Sequence, residues 1–458
     1  ACCVIFRNRA SIKTGTYDSN CGTRGLCGKR CQHPTVRGLE LLANRQKVFW
    51  LINQYASTPE TGMGGRHYYL AREMAKEGHK VFLISGSFGH KFRVKGIQRS
   101  MVEQKAVEGF THVTLRLLTY PNSHSPKRAI NWFIFSALLG FFIRRFLPRP
   151  DAIVYSSPAL IGYLGARRVA KKLNVPLVFE VRDIWPMTLI ELGGFSPKHP
   201  FMRLMQWVED KAYQESARVL SNLPNSFEHM VERGMQREKF VWIPNGISLD
   251  EVAAPEPLPD DLACKIPKTG FVVGYTGALG AANALDVFID AACLLRDNKR
   301  VTFVIVGDGA KKNFLKSRAA SYKLNNVLFI DPIPKTQVQS VLQTFDACYI
   351  SLTNDPMFKF GVSPNKLFDY MYSGKPIIYA ISSGDYRPIR SAQAGLEVPP
   401  ENPQALADAI LELAGASQKD RKIMGQNARA EVLCKYEYGR HARKLVHVLE
   451  STCIRIEK

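Results

Sequence analysis

Residues 48–84 read VFWLINQYASTPETGMGGRHYYLAREMAKEGHKVFLI. The apolar run Val48-Phe49-Trp50-Leu51-Ile52 does not alternate with polar residues, which is the pattern of a short strand covered on both faces. A polar, glycine-rich stretch follows, then an amphipathic segment over 67–77 that stops at Gly78-His79. Val81-Phe82-Leu83-Ile84 opens the next apolar run. Strand, loop, helix and strand in that order form the unit of a parallel sheet, because parallel neighbours need a crossover connection.

The alternation continues on the C-terminal side. Short apolar runs at 112–118, 152–156, 176–181, 218–221 and 240–243 are candidate strands, with helical periodicity between them, as at 160–173. Pro244-Asn245-Gly246 breaks the series, and Pro255, Pro257, Pro259 and Pro267 among clustered charges give 251–267 the chemistry of a linker. A second series has candidate strands at 271–276, 301–306, 326–331, 347–352 and 376–381, separated by helical stretches such as 285–296 and 405–414. The prediction is an α/β chain of two doubly wound, Rossmann-like parallel-sheet domains, 47–250 and 268–430. A last helix within 431–458 can cross back to the first domain.

Length and composition agree. A chain of 458 residues exceeds what one hydrophobic core organises, and 46% hydrophobic with 22% charged residues excludes wholesale disorder. The balance of 62 Lys+Arg against 40 Asp+Glu, a formal charge of +22, invites a polyanionic neighbour: nucleic acid, an anionic membrane or a phosphate-bearing ligand. Most of the excess sits in two places, with nine basic against two acidic residues over 1–47 and eleven against two over 88–150. A local basic face follows, rather than a surface that wraps a duplex. Few aromatics interleave with the basic residues of the first 47 positions and no recognition motif occurs, so a nucleic-acid-binding protein is set aside.

Five of the ten cysteines, at 2, 3, 21, 27 and 31, fall in the first 31 residues, with no histidine at zinc-finger spacing. No metal site is predicted from them. Residues 1–46 lack helical or strand periodicity and read as a mobile or non-native extension. With no secretory segment ahead of the first strand, a reducing cytosol is the expected location.

Three turns carry candidate chemistry. Gly62-Met63-Gly64-Gly65 lies between the first strand and first helix, where Gly64 and Gly65 let backbone N–H groups approach an anion at a positive helix end. Val306-Gly307-Asp308-Gly309 is a strand running into a glycine turn in the second half, the usual place for a nucleotide in an open α/β sheet. Residues 361–376, GVSPNKLFDYMYSGKP, contain Ser363-Pro364, which reads as a helix start with proline in its first turn. The free N–H groups of Asn365 and Lys366, with the lysine added, build a diphosphate site from helix dipole and one cation. Asp369, three residues on, shares the helix face of Lys366, either accepting ribose hydroxyl protons or forming a local ion pair.

Together with Pro244-Asn245-Gly246-Ile247-Ser248-Leu249-Asp250 and the helix that ends Lys76-Glu77-Gly78-His79-Lys80-Val81, these motifs resemble, in order and position, the retaining glycosyltransferases of family 4. The resemblance covers residues 47 to about 450. It implies the GT-B fold, two such domains facing a cleft, and transfer of a hexose-type sugar from a nucleoside diphosphate donor, UDP foremost, with retention and with neither metal nor cofactor. Glu180-Val181-Arg182-Asp183-Ile184-Trp185-Pro186 resembles the branch that builds bacterial surface polysaccharides, N-acetyl-L-fucosamine transferases among them; most of the family carries His where Arg182 stands. The family's two glutamates, separated by seven intervening residues, are also altered. Asp369 takes the second place and Gly361 the first, so that contact with the donor sugar passes to Ser363, Asn365 and Lys366.

The resemblance thus assigns Lys366, Arg182 and Asp183 to catalysis. Gly277, Gly307, Gly309, Ser363, Pro364, Asn365, Lys366 and Asp369 fall to the donor, and Gly64 and Gly65 to the diphosphate or acceptor. The acceptor it implies is a saccharide on a polyprenyl diphosphate, as in O-antigen assembly. Residues 129–143, AINWFIFSALLGFFI, bear on this. Fifteen residues make ~22 Å of helix, short of a ~30 Å hydrocarbon core. The segment is therefore a core helix or one lying in an anionic membrane interface, on the inner face of the cytoplasmic membrane. The alternative enzyme is a non-hydrolysing nucleotide-sugar 2-epimerase, which shares the fold and needs no acceptor.

Overall fold

The computed structural model describes residues 46–62, 64–89, 92, 98–121 and 125–453. The segment read as an extension, with its five cysteines, lies outside the described residues up to position 45.

The first sheet holds β1 (Val48–Ile52), β2 (Lys80–Gly86), β3 (Val102–Val107), β4 (Phe110–Leu115), β5 (Ala152–Ser156), β6 (Leu177–Val181), β7 (Arg218–Ser221) and β8 (Phe240–Trp242), in the order β3-β4-β2-β1-β5-β6-β7-β8. All neighbours are parallel except β3 and β4. β3 gives no apolar signal because its sequence VEQKAV lies on the sheet edge with its middle residues exposed. The hairpin turn at Glu108-Gly109 starts β4 at 110 and ends it at 115, which shifts the strand expected at 112–118.

The second sheet holds β9 (Phe271–Thr276), β10 (Val301–Val306), β11 (Val327–Ile330), β12 (Ala347–Ser351), β13 (Ile377–Ala380) and β14 (Gly395–Glu397), in the order β11-β10-β9-β12-β13-β14, parallel throughout. β14, three residues long, had no signal in the sequence. Apolar layers cover both faces of each sheet, which is why the strands read as continuous hydrophobic runs. Chain direction across the sheets reverses between β1 and β5 and between β9 and β12, and crevices for ligands open at the carboxyl ends of such strands.

Two segments cross between the lobes side by side. Ile247, after β8, donates to Tyr436 O (2.8 Å), and Tyr438 donates back to Ile247 O (3.0 Å). Helix Tyr438–Cys453 then packs its Leu445, Val448 and Leu449 with Phe49, Leu70 and Met74 of the first lobe. The proline-rich stretch after the first crossing is not a free linker. Val252 and Ile266 are buried in the second lobe, and Glu256 N–H donates to Thr336 O at 3.0 Å.

The apolar segment 129–143 divides by face. Helix Pro126–Ala137 continues through a π-type turn, Leu138–Phe142. Trp132, Phe135, Leu139 and Ile143 enter the core, whereas Ile130, Phe133 and Phe141 are 47–51% exposed. No helix among the described residues is long and apolar enough to cross a membrane.

Candidate functional site

In the second lobe the carboxyl ends of β9 and β10 turn through Gly277 and through Gly307 and Gly309. A Cβ on Gly307 would stand 2.0 Å from Gly277 O, so the two turns can pack this closely only with glycine there. Helix Asn365–Ser373 begins beside them, with Pro364 as its N-cap residue rather than inside the first turn.

Lys366, in that first turn, reaches back over β9. Its Nζ donates to Tyr275 Oη and to Asn283 Oδ1 (2.9 Å) and lies 4.1 Å from the Tyr275 ring centroid. Gly277 leaves the room for it, since a Cβ there would meet the lysine at 3.3 Å. Burial pushes this ammonium down to about 7, and no ion pair among the described residues opposes the shift. Gly277, Gly307, Gly309 and the helix start at 363–366 are therefore gathered at one end of the second sheet.

Asp369 goes elsewhere. Its carboxylate accepts from Lys335 Nζ at 2.5 and 2.6 Å, and the expected proximity to Lys366 yields no contact between the two side chains. Gly361 takes its identity from packing: its φ is +88°, and a Cβ would stand 2.5 Å from Pro224 Cδ of the first lobe. A glutamate on this backbone would be strained by the positive φ and would force Pro224 or this segment to shift.

In the first lobe Gly64 and Gly65 precede helix Arg66–Lys76, and a Cβ on Gly65 would meet nothing within 4 Å. Behind them lies a network absent from the sequence reading. Glu180, next to last in β6 and 2% exposed, accepts from Arg66 Nε (2.8 Å) and from His67 Nε2 (2.7 Å). Burial pushes the Glu180 carboxyl up, but Arg66 and His67 outweigh it and hold the group well below the usual carboxylate range. Burial acts on His67 in the opposite sense and pulls its imidazole below the ordinary histidine range, against the pull of Glu180. Arg66 also donates to Ile243 O (2.8 Å) and to Pro244 O. A sequence signal existed: a carboxylate inside the buried strand LVFEV requires a buried cationic partner.

Arg182 and Asp183 follow β6 at its carboxyl end. Arg182 N–H donates to Ser157 Oγ (2.9 Å), while its Nε is buried and finds no hydrogen-bond acceptor among the described residues. Asp183 is exposed. The lobes meet at two seams nearby. Asn225 Nδ2 donates to Lys359 O (3.0 Å) and Ser383 O (2.9 Å), and Asn245 donates from its backbone to Ser363 Oγ (2.9 Å) and from Nδ2 to Ser363 O (2.7 Å).

The architecture of two parallel-sheet lobes is one that known proteins share. Residues 61–251 match the model of Glycosyltransferase Family 4, and residues 270–415 match that of Glycosyl transferases group 1. The protein WbjE of Pseudomonas aeruginosa, named as a glycosyltransferase, is 26% identical over 56% of this chain and 65% of its own length, a little under two thirds. WcaI of Escherichia coli K12, named as a colanic acid biosynthesis glycosyl transferase, is 24% identical over 77% of this chain and 89% of its own. Among solved structures, sucrose-phosphate synthase from Thermosynechococcus elongatus superposes with a TM-score of 0.66 at 16% identity, covering 89% of this chain and 99% of that one. Anabaena HepE, solved with UDP and glucose, gives 0.59 at 16% identity, covering 89% and 100%. The fold is GT-B. Two glycosyltransferase family models thus match this chain in succession, the first over 61–251 and the second over 270–415.

Proposed function

We propose that the chain moves a sugar from a nucleoside diphosphate donor, a UDP-sugar foremost, to a lipid-linked saccharide in the assembly of a surface polysaccharide, with retention and without a metal. The observation that carries this reading is Lys366: a half-buried ammonium with neutral hydrogen-bond partners, in the first turn of a helix beside the Gly277 and Gly307 turns. A diphosphate set there would supply the missing negative charge. As the bond from the sugar's anomeric carbon to the diphosphate breaks, the oxygen left behind gains charge. Lys366 and the free N–H groups of the helix start stabilise it, each such contact contributing about 10²–10³ in rate. The acceptor hydroxyl forms the new bond, and its proton goes to the departing diphosphate.

Ser363 and Asn365 complete the phosphate contacts, and Asp369 takes the ribose once Lys335 yields its place. Gly64 and Gly65 approach from the first lobe, and the unsatisfied Nε of Arg182, with Asp183 beside it, serves the acceptor or the donor sugar. The relative named for colanic acid biosynthesis supports a polysaccharide acceptor. The exposed Ile130, Phe133 and Phe141, with Arg144, Arg145 and Arg168 close by, support a lipid anchor on that acceptor and peripheral binding to an anionic leaflet.

A thermal-shift panel of UDP, GDP and ADP with their sugars tests the donor. A ligand at a hundredfold its Kd adds about 2.7 kcal/mol to the folded state. No shift with any of them refutes the donor reading. Flotation with anionic liposomes at low salt tests the acceptor face, and a chain that stays with the soluble fraction refutes membrane docking.

A further inference from the structure

Arg66, His67 and Glu180 are closed off from solvent, so their network acts through what it holds rather than by touching substrate. One edge of the Arg66 guanidinium grips Glu180, and the other takes the carbonyls of Ile243 and Pro244, the last residues before the first crossing. A planar fork that bonds a carboxylate and two successive carbonyls fixes both the position and the direction of that segment. The next residue, Asn245, carries two hydrogen bonds to Ser363, three positions before Lys366. Loop 222–225 holds the other end of the same stretch, with Asn225 N–H donating to Phe360 O (3.0 Å) and Pro224 lying over Gly361. Residues 359–363 are thus fastened to the first lobe at both ends, directly ahead of the helix start.

We propose that Arg66, oriented by Glu180, and Asn245 are positioning residues: they transmit the frame of the first lobe through the crossing to Ser363 and set where the second lobe's phosphate-binding helix begins. The proposal rests on the donor reading above. A misplacement of about 1 Å far from the reacting atoms can cost about 10²-fold in rate, so a fixed link of this kind has a use in catalysis.

The test is calorimetric binding to the full chain of UDP, GDP or ADP, whichever stabilises it, beside the matching nucleoside, which lacks phosphates. Asn245→Ala removes one side-chain bond at a seam. Arg66→Lys keeps a charge opposite Glu180 but loses the fork. Each variant is expected to weaken diphosphate binding about 3–10-fold while nucleoside binding stays constant. The double variant is expected to lose no more than the weaker binder of the two singles, because both act on one link. Should Arg66→Lys fail to fold, Asn245→Ala decides alone. Diphosphate affinity within about twofold of the wild type in the folded variants overturns the proposal, since one hydrogen bond is worth more than that. Equal losses for nucleoside and diphosphate overturn it too, as general loosening. A wild-type chain that binds no nucleoside diphosphate overturns the donor reading and this inference with it.

Discussion

Glu180 in the first lobe and Lys366 in the second are both charges drawn into protein, and they are treated oppositely. Glu180 has a guanidinium and an imidazole on its two oxygens and is held ionised. Lys366 has a phenol and an amide, no carboxylate among the described residues, and a pKa lowered to about 7 by burial. A buried charge with its partner in place holds structure together, and removing that partner is costly. A buried charge without one is a standing cost that a ligand can relieve. The contrast separates a frame from a receptor.

Three experiments bear on it. Lys366→Met is expected to lower turnover by about 10²–10³-fold or more while stabilising the free chain by about 1 kcal/mol, since an apolar chain of similar volume replaces a desolvated cation. Paired kinetics and thermal melts check both halves, and a variant that is less stable, or near-normal in rate, breaks the contrast. Glu180→Gln is expected to go the other way, destabilising by about 3–5 kcal/mol because Arg66 is left buried without its anion. Denaturant melts that agree with wild type within about 1 kcal/mol would remove the frame.

The third effect is smaller. In the free chain Lys366 loses its proton near pH 7, and an adjacent diphosphate raises that value. Binding therefore favours the protonated lysine. Affinity is complete below pH 7 and declines by up to about tenfold per pH unit above it, until the pKa of the bound state is reached. Titration calorimetry in buffers of differing ionisation enthalpy should show proton uptake on binding between pH 7 and 8. A dissociation constant flat from pH 6.5 to 8.5, with no uptake, assigns the phosphate contact to another group.

Some of this was legible in the chain itself. Val48–Ile52, Ala152–Ser156, Arg218–Ser221, Phe271–Thr276 and Val301–Val306 have the bounds their apolar runs suggest, because strands buried on both faces must be hydrophobic from end to end. β3 and β14 escaped because edge strands need no such run; their register comes from a neighbour. Local signals likewise placed the turns at Gly307 and Ser363-Pro364, since glycine and proline act on their own backbone.

What no linear pattern contains is the pairing of side chains far apart in sequence. Lys366 and Asp369 share one helix, yet one turns to Tyr275 and Asn283 and the other to Lys335. The position before them is glycine because Pro224, 137 residues away, occupies the space of a side chain. Segment 129–143 looked uniformly apolar, and only the packing of Trp132, Phe135 and Leu139 against the first sheet left Phe133 and Phe141 facing out. Hydrophobic periodicity acts within a few residues and fixes the elements and their order. Charge compensation and close packing act through space, so the frame and the receptor exist only once the two lobes have met.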